Sequence, residues 1–488
     1  MIDTHCHLDM FPGDAEDQKA KKGERRDSFI RRATEAGLEA MITISSDRES
    51  NLTNIAIAEK YDMVYATVGI HPHDAKTFTP QIFEQLRSWT KGSDKSAVTS
   101  SGLKSRGNDS SLVTRHSSLR KVVAIGETGL DYHYDHSPRD IQREVFRKHL
   151  ALAHETGLPA VVHSRDAKED TLEILRESAT TKGVLHCFSG DRDMAEKVME
   201  MGLYISFAGP VTFRNAKKLA GIAKEIPDDY LLVETDAPYL APEPLRGKRN
   251  EPSYILHTIK RLAELREVST DDIARITTLN ARRLFGIGEL PTKGEIAYTI
   301  RDSLYLNITN RCTNKCSFCV RFHGDYVKGH NLRLPDEPTE EELILAIGDP
   351  SRYREIVFCG YGEPLLRLDT VKKVAGRVKE KGGRVRINTN GHGNLIHGRN
   401  VLPELKGLVD SVSVSLDAQD KETYDRICAP AFRNAFHEVI SFIRTAKDFI
   451  PHVQATVVEM EGVDVEKCRK ITDELGVTLR VRKLDVVG

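Results

Sequence analysis

Short apolar runs alternate with longer amphipathic stretches along most of the chain. In the first part the runs are Ile2–His7, Ala40–Ser46, Val64–Ile70, Val122–Glu127, Ala160–His163, Gly183–Cys187, Tyr204–Ala208 and Leu231–Asp236. Stretches with helical spacing, such as Arg26–Ala36, Asp140–Glu155 and Ala167–Ser178, lie between them. Eight strand–helix units over about 290 residues predict an α/β fold, a (β/α)8 TIM-type barrel with its active site at the C-terminal strand ends. A doubly wound open sheet is the alternative. A punctuated stretch follows, with Gly286, Gly288, Pro291 and Gly294. Beyond it the runs Leu304–Ile308, Glu355–Cys359, Arg384–Asn388, Ser411–Leu416, Val453–Val458 and Thr478–Arg482 predict a partial (βα)6 barrel. The expected domains are 1–287 and 295–488, joined by a linker over 288–294.

Composition changes this picture little. A chain of 488 residues is too long for one ordinary core, so two or three domains are expected. The net charge of −1 removes any overall basic bias, although a local nucleic-acid-binding patch would be averaged away. The start, Met1-Ile-Asp-Thr-His, lacks the basic-then-apolar order of a signal peptide. No apolar run approaches the length of a membrane span, so no membrane partner is expected. Eight cysteines, three of them clustered, fit a reducing cytoplasm. The segment 91–120 is rich in Ser, Gly, Lys and Arg and has no period. It reads as a flexible loop inserted between the third helix and the fourth strand, on the face opposite the active site and without a catalytic role.

The first eight runs end in one kind of residue: His5-Cys-His7, Glu127, His163, His186 and Asp236. Residues two apart in a strand share a face, so His5 and His7 can bind one metal while Cys6 turns away. A glutamate on a facing strand can bridge two ions, and His163 with His186 can complete a second site. Nitrogen and oxygen donors suit zinc, manganese or magnesium, with magnesium the poorest match to so many imidazoles. Two ions about 4 Å apart would activate a water and hold a phosphoryl or acyl oxygen. Taken singly, each histidine could be only a hydrogen-bonded polar residue.

The motifs Met1-Ile-Asp-Thr-His-Cys-His-Leu-Asp9, Gly69-Ile-His-Pro-His73, Ala124-Ile-Gly-Glu-Thr-Gly-Leu-Asp-Tyr132, Val162-His-Ser-Arg165, His186-Cys-Phe-Ser-Gly190 and Glu234-Thr-Asp-Ala-Pro-Tyr-Leu240 resemble the TatD family of metal-dependent deoxyribonucleases. The resemblance covers residues 1–287. It implies one ion on His5, His7, Glu127 and Asp236 and another on Glu127, His163 and His186, with Glu127 and Asp236 catalytic. The implied substrate is DNA, cleaved exonucleolytically at phosphodiesters. His71 and His73 would line the substrate cleft, although capped loop histidines would look the same. Arg165 could meet a phosphate oxygen. Arg246, Lys248 and Arg249 form either a phosphate-binding patch or a solvated charge run.

In the second part, Cys312, Cys316 and Cys319 follow the first strand at C-x3-C-x2-C spacing. Three thiolates can hold three irons of a cubane cluster and leave the fourth open to activate a ligand. A zinc site completed by His323 is the alternative. Phe318 before the last cysteine, and Gly360-Tyr-Gly-Glu-Pro364 after the second strand, are similar to the radical S-adenosylmethionine domain. That resemblance implies a [4Fe-4S] cluster and S-adenosylmethionine, with an electron donor such as flavodoxin or ferredoxin. Reductive cleavage would give a 5′-deoxyadenosyl radical that takes hydrogen from a substrate. Phe318 would lie near the adenine and Gly362 with Glu363 near the methionine amino group, Tyr361 standing where the family has glycine. Asn388 and Ser415, in strand-end segments, could reach ribose or carboxylate. Glu459 and Arg482 are further candidate contacts, and Cys428 faces either substrate or core. The pairing resembles TatD-associated radical SAM proteins, here in one chain. Two rivals stand: a first barrel acting on another phosphoester or an amide, and a second that bears a cluster without turnover.

Overall fold

The computed structural model describes residues 1–13, 25–91, 121–178 and 182–484. Most of the 91–120 segment lies outside the described residues. The chain divides into two compact units, Met1–Leu290 and Pro291–Gly488.

The first unit runs β1 (Ile2–Cys6), α1 (Arg26–Glu35), β2 (Ala40–Thr43), α2 (Arg48–Lys60), β3 (Val64–Val68), α3 (Pro80–Thr90), β4 (Val122–Asp131), α4 (Arg139–Thr156), β5 (Ala160–Arg165), α5 (Lys168–Glu177), β6 (Gly183–Leu185), α6 (Arg192–Glu200), β7 (Tyr204–Phe207), α7 (Lys217–Glu225), β8 (Leu231–Val233), α8 (Ile255–Arg266) and α9 (Thr270–Phe285). The strands pair in chain order, and every pairing is parallel. Just past their ends β1 and β8 meet: Asp236 N–H donates to His5 O at 2.9 Å, and His7 N–H to Ala237 O at 2.7 Å. These bonds nearly close the sheet into a barrel and exclude the open doubly wound alternative.

Strand alternation divides the core into two layers. One set of side chains, including Ile2, Ile42, Val123, Val161, Val184 and Leu232, fills the barrel interior, joined by Leu284 and Phe285 from α9. The other set, including Met41, Ala66, Val162 and Ile205, packs against the helices. Each such side chain, fully buried, contributes roughly 1.5–3 kcal/mol. The interior is thus filled mainly with hydrocarbon, with a few buried hydroxyls such as Thr4 and Ser206, and chemistry is confined to the mouth. β4 does not end at Glu127 as the sequence suggests. Its register slips against β5 between Ile125 and Thr128, and the strand continues to Asp131.

The second unit runs β9 (Ala297–Ile300), β10 (Ser303–Asn307), a small hairpin of β11 (Tyr326–Val327) and β12 (His330–Asn331), α10 (Glu340–Ile347), β13 (Ile356–Cys359), α11 (Leu368–Glu380), β14 (Val385–Thr389), α12 (Gly393–His397), α13 (Leu402–Leu405), β15 (Ser411–Ser415), α14 (Lys421–Cys428), α15 (Ala435–Ala446), β16 (His452–Glu459), α16 (Val465–Leu475) and β17 (Thr478–Lys483). The main sheet has the order β17-β16-β15-β14-β13-β10-β9. Its six parallel strands correspond to the six expected runs, while β9 is an added antiparallel edge strand. Four residues behind a Gly/Pro-rich stretch are too short for a periodic signal. Among the described residues, no helix is long and apolar enough to cross a membrane.

Candidate metal centre and cysteine loop

In the first unit, the register of β1, β4, β5, β6 and β8 brings the five strand-end motifs to one mouth. Glu127 stands at the centre and is 3% exposed. Its Oε2 lies 3.4 Å from His5 Nε2. Its Oε1 lies 2.7 Å from His186 Nε2 and 3.0 Å from His163 Nδ1. Asp236 Oδ1 lies 3.4 Å from His7 Nε2 and 3.7 Å from His5 Nε2. Three sets converge with ligand atoms within 4.8 Å of one another: His5–His7–Asp236, His5–Glu127–His186 and His71–Glu127–His163. Cys6 turns to the outer layer, where its Sγ lies 3.5 Å from Ile42 O.

The donor set suits divalent cations. Both ring nitrogens of His5 are buried without a hydrogen-bond partner in the described structure, as is Nδ1 of His186. Such nitrogens are costly unless something else meets them. Burial raises the Glu127 carboxyl, but the charges of His186 and His71 and hydrogen bonds from His163 and His186 outweigh it and hold it well below the usual carboxylate range. Burial likewise opposes ionisation of Asp236, and the His7 hydrogen bond with the charge of His5 overcomes it. Asp236 adopts a left-handed backbone with φ 57°. That conformation costs about 1–2 kcal/mol and is sustained by its backbone bond to His5.

His71 lies closer to this centre than a cleft-lining residue would need to be. Its Nε2 is 3.4 Å from Glu127 Oε1, so it could serve as a ligand beside His163. His73 is set back and meets Asp131 Oδ2 at 3.0 Å. Arg165 ends β5, exposed, with its guanidinium 4.8 Å above the Tyr134 ring. Two supporting carboxylates escaped the sequence reading. Asp131 Oδ2 meets His163 Nε2 at 3.1 Å as well as His73. Glu234 Oε1 lies 3.4 Å from His186 Nδ1 and accepts from Cys187 N–H at 2.6 Å. Both stand within the motifs, and Asp131, four residues after Glu127 along a strand, could have been found by alternation. Such carboxylates orient imidazoles for a metal.

In the second unit, the cysteines lie half-buried in the loop between β10 and the Val320–Phe322 turn. Cys312 Sγ is 3.4 Å from Asn314 N and 3.7 Å from Asn390 Nδ2. Burial, then the charge of Glu363, pushes the Cys312 thiol up to about 12. At neutral pH such a sulfur ionises only beside a positive partner, which iron would supply. The loop is braced from behind. Thr313 Oγ1 meets His392 Nδ1 at 2.9 Å, and His392 Nε2 meets the Tyr424 hydroxyl at 3.1 Å. The backbone of Lys315 donates to Cys428 O at 2.9 Å. Cys428 itself is fully buried in the core, and Phe318 packs half-buried against the same core.

The Gly360–Pro364 turn underpins this loop. A Cβ on Gly362 would lie 2.1 Å from Arg311 O and 2.6 Å from Thr309 O. Gly360 has φ 110°, and its Cβ would lie 2.4 Å from Asn307 Oδ1. The Glu363 carboxylate is buried and fully engaged, accepting from Leu365 N–H at 2.9 Å, Thr389 Oγ1–H at 2.8 Å and Asn390 N–H at 2.7 Å. It ties the end of β14 to the turn. Asn388 bonds Arg386 and Cys359, and Ser415, half-buried, ends β15 beside Thr456.

Two barrel-like sheets, one with converging metal-binding side chains at its strand ends and the other with a three-cysteine loop, define a candidate metal-site barrel and a second α/β domain. Residues 2–286 match the family model for TatD related DNase, and the chain belongs to that family. Residues 306–475 match the radical SAM superfamily and form a radical SAM domain. The chain is similar to the metal-dependent hydrolase YabD of Bacillus subtilis (strain 168), 42% identical over 289 residues, which span 59% of this chain and 99% of the relative. It is 36% identical over 294 residues to the metal-dependent hydrolase YcfH of Escherichia coli (strain K12), spanning 59% and 96%. The crystal structure of YJJV, a TatD homologue from Escherichia coli K12, superposes with a TM-score of 0.49 at 28% identity, covering 59% of this chain and 98% of that one. By its two family matches and its sequence relatives, the chain is a TatD-type metal-dependent hydrolase extended by a radical SAM domain.

Proposed function

We propose that the first barrel is a two-metal deoxyribonuclease acting exonucleolytically on DNA, and that the second cleaves S-adenosylmethionine reductively at a [4Fe-4S] cluster. The observation that carries the first part is the division of Glu127, with Oε2 turned to His5 and Oε1 to His163 and His186. His5, His7, Glu127 and Asp236 would hold one divalent ion, and Glu127, His163 and His186 the other, with His71 as an added donor. When bound, the ions supply an activated water and a clamp on phosphoryl oxygens. Asp236 would take the water's proton, a role supported by a carboxylate that stays ionised beside His7. Asp131 and Glu234 fix the rings of His163 and His186. His73 and Arg165 border the mouth, where phosphate oxygens would arrive.

In the second barrel, Cys312, Cys316 and Cys319 would hold the cluster, with S-adenosylmethionine at the fourth iron. When bound, the pair supplies a carbon radical that takes hydrogen from a substrate. Gly362 and Glu363 would lie near the methionine amino group, and they also hold the cysteine loop and the end of β14 in place. Phe318, Asn388 and Ser415 remain cofactor contacts in this reading.

Digestion of single- and double-stranded DNA with Mg2+, Mn2+ or Zn2+ tests the first part. Release of mononucleotides is expected, and an inert enzyme that nevertheless hydrolyses another phosphoester or an amide would refute the nuclease assignment. Anaerobic incubation with dithionite and S-adenosylmethionine tests the second. An intact cluster that yields no 5′-deoxyadenosine would favour a module without turnover.

A further inference from the structure

The two barrels share an architecture but differ in what fills them. In the second unit, Val412 and Val414 of β15 face the helix-covered core, as do Val385 and Ile387 of β14 and Ala455 and Val457 of β16. Leu479 and Val481 of β17 lean on the same core. The alternate positions therefore line the inner face. They read Arg386 and Asn388 on β14, Ser413 on β15, Thr456 on β16, and Arg480 and Arg482 on β17. A barrel whose interior is filled only for packing carries mainly hydrocarbon, as the first one does. A polar interior with three guanidiniums is built to hold a ligand.

We propose that this inner face binds an organic oxyanion, a phosphate or carboxylate on the substrate of the radical domain, through Arg480 and Arg482 with Arg386 behind them. The proposal rests on the radical SAM reading above, whose substrate it narrows to an anion.

Charge supports the assignment. Arg386 is neutralised: its Nε lies 3.0 Å from Glu355 Oε1, and it bonds Asn388 Oδ1 at 2.7 Å and the Tyr305 hydroxyl at 3.3 Å. Arg480 and Arg482 have no ion pair within 4.0 Å in the described structure, and Arg482 Nε is buried without a hydrogen-bond partner. Arg480 keeps exposed surface on the edge strand. Surrounding protein nevertheless pulls its guanidinium below the usual range, the positive charges of Arg386, Arg482 and Arg301 adding to burial while Tyr305 opposes. Asp417 is the carboxylate that senses Arg482, and burial pushes its carboxyl up to about 6 against that charge. Like charges gathered with so little compensation favour an anion between them. Position fits as well. Arg386 lies four residues before Asn390, whose amide reaches Cys312 Sγ, and so sits roughly 13 Å down the strand from the cysteine loop, whereas Arg480 pairs with Thr456 beside Ser415, level with Asn390, and Arg482 lies one step further toward the strand ends. An anion held by Arg480 and Arg482 would lie at the level of the radical centre, with Arg386 deeper in the barrel.

The test is titration calorimetry of the full-length, cluster-reconstituted protein at low chloride, with 2′-deoxyadenosine 5′-monophosphate and with succinate as probes. Saturable binding of at least one probe is expected, weakened about tenfold or more in Arg480→Met and Arg482→Met and partly regained in Arg482→Lys. Binding of the nucleotide alone identifies a phosphate ligand, and of succinate alone a carboxylate. Any binding at the metal centre of the first barrel persists in the double variant and is subtracted. Equal affinity in wild type and double variant, or no binding up to about 10 mM, overturns the proposal. So does loss of the S-adenosylmethionine-induced change in the reduced cluster's electron paramagnetic resonance spectrum in these variants, which would place the arginines on the cofactor. A wild-type protein that shows no such change refutes the radical SAM reading instead, while the anion titration is read independently.

Discussion

Replacing His149 with phenylalanine perturbs a residue that no motif marks. His149 is fully buried on α4. Its Nδ1 donates to Val145 O at 2.8 Å, and its Nε2 accepts the Ile70 N–H at 3.0 Å. Those bonds require the neutral ring, and burial lowers its pKa from 6.5 to about 4, the Val145 bond opposing. His149→Phe leaves the Ile70 N–H without an acceptor, at a cost of about 1–3 kcal/mol near pH 7. The pH dependence has a definite sign. With the folded pKa below the unfolded one, the unfolded chain binds more protons between pH 6.5 and 4. The wild type therefore loses stability as pH falls through that window. At about 1.4 kcal/mol for each pH unit the loss approaches 3 kcal/mol by pH 4. Phenylalanine cannot titrate, so the variant lacks this term. Urea unfolding followed by the fluorescence of Trp89, the one tryptophan of the chain and part of α3, reports on the first barrel. The deficit of the variant should be largest near pH 7 and should vanish or reverse near pH 4. Titrations of the metal-centre groups cancel in the difference between the two proteins. A deficit that is constant from pH 7 to pH 4 would refute the reasoning.

Asp131→Asn removes the charge that orients His163 and His73, and should weaken binding of the second metal ion about 10–100-fold, read by equilibrium dialysis with metal analysis. Glu127→Gln should reduce the bound metal from two ions toward one and abolish hydrolysis, with the circular dichroism spectrum retained. Cys316→Ala should remove the visible absorption of the cluster while hydrolysis by the first barrel persists; loss of both would show that the units are coupled. Gly362→Ala forces a methyl against Arg311 O and Thr309 O, neither of which can rotate away. Cluster reconstitution should fail in that variant, and normal cluster content would show that the turn does not brace the loop.

Much of this protein is local in its sequence. Eight and then six short runs, separated by helical stretches, define the eight parallel strands of the first sheet and the six of the second; those of the first are largely apolar because both faces are buried, whereas β14, β15 and β17 alternate. His5, His7, Glu127, His163, His186 and Asp236 stand at or near the ends of those runs, so parallel pairing alone carries them to one mouth. The three cysteines share a single loop, and their spacing needs no fold to be read.

Other features depend on register and on which face a side chain takes, and these exist only once the strands are paired. The slip in β4 extends the strand past Glu127 and brings Asp131 under His163. The four residues of β9 become a strand only because β10 offers an edge. Glu363 is spent on β14 rather than turned outward, a choice made by the Thr389 and Asn390 donors that the fold delivers. Arg386 is distant in sequence from Arg480 and Arg482, which share β17, and of the three the sequence singles out only Arg482 as a candidate contact. Pairing β17 with β16 turns Leu479 and Val481 toward the core and leaves the arginines on the inner face. A side chain's alternation is written in the sequence, but which of its two faces becomes the interior is decided by what packs against the other.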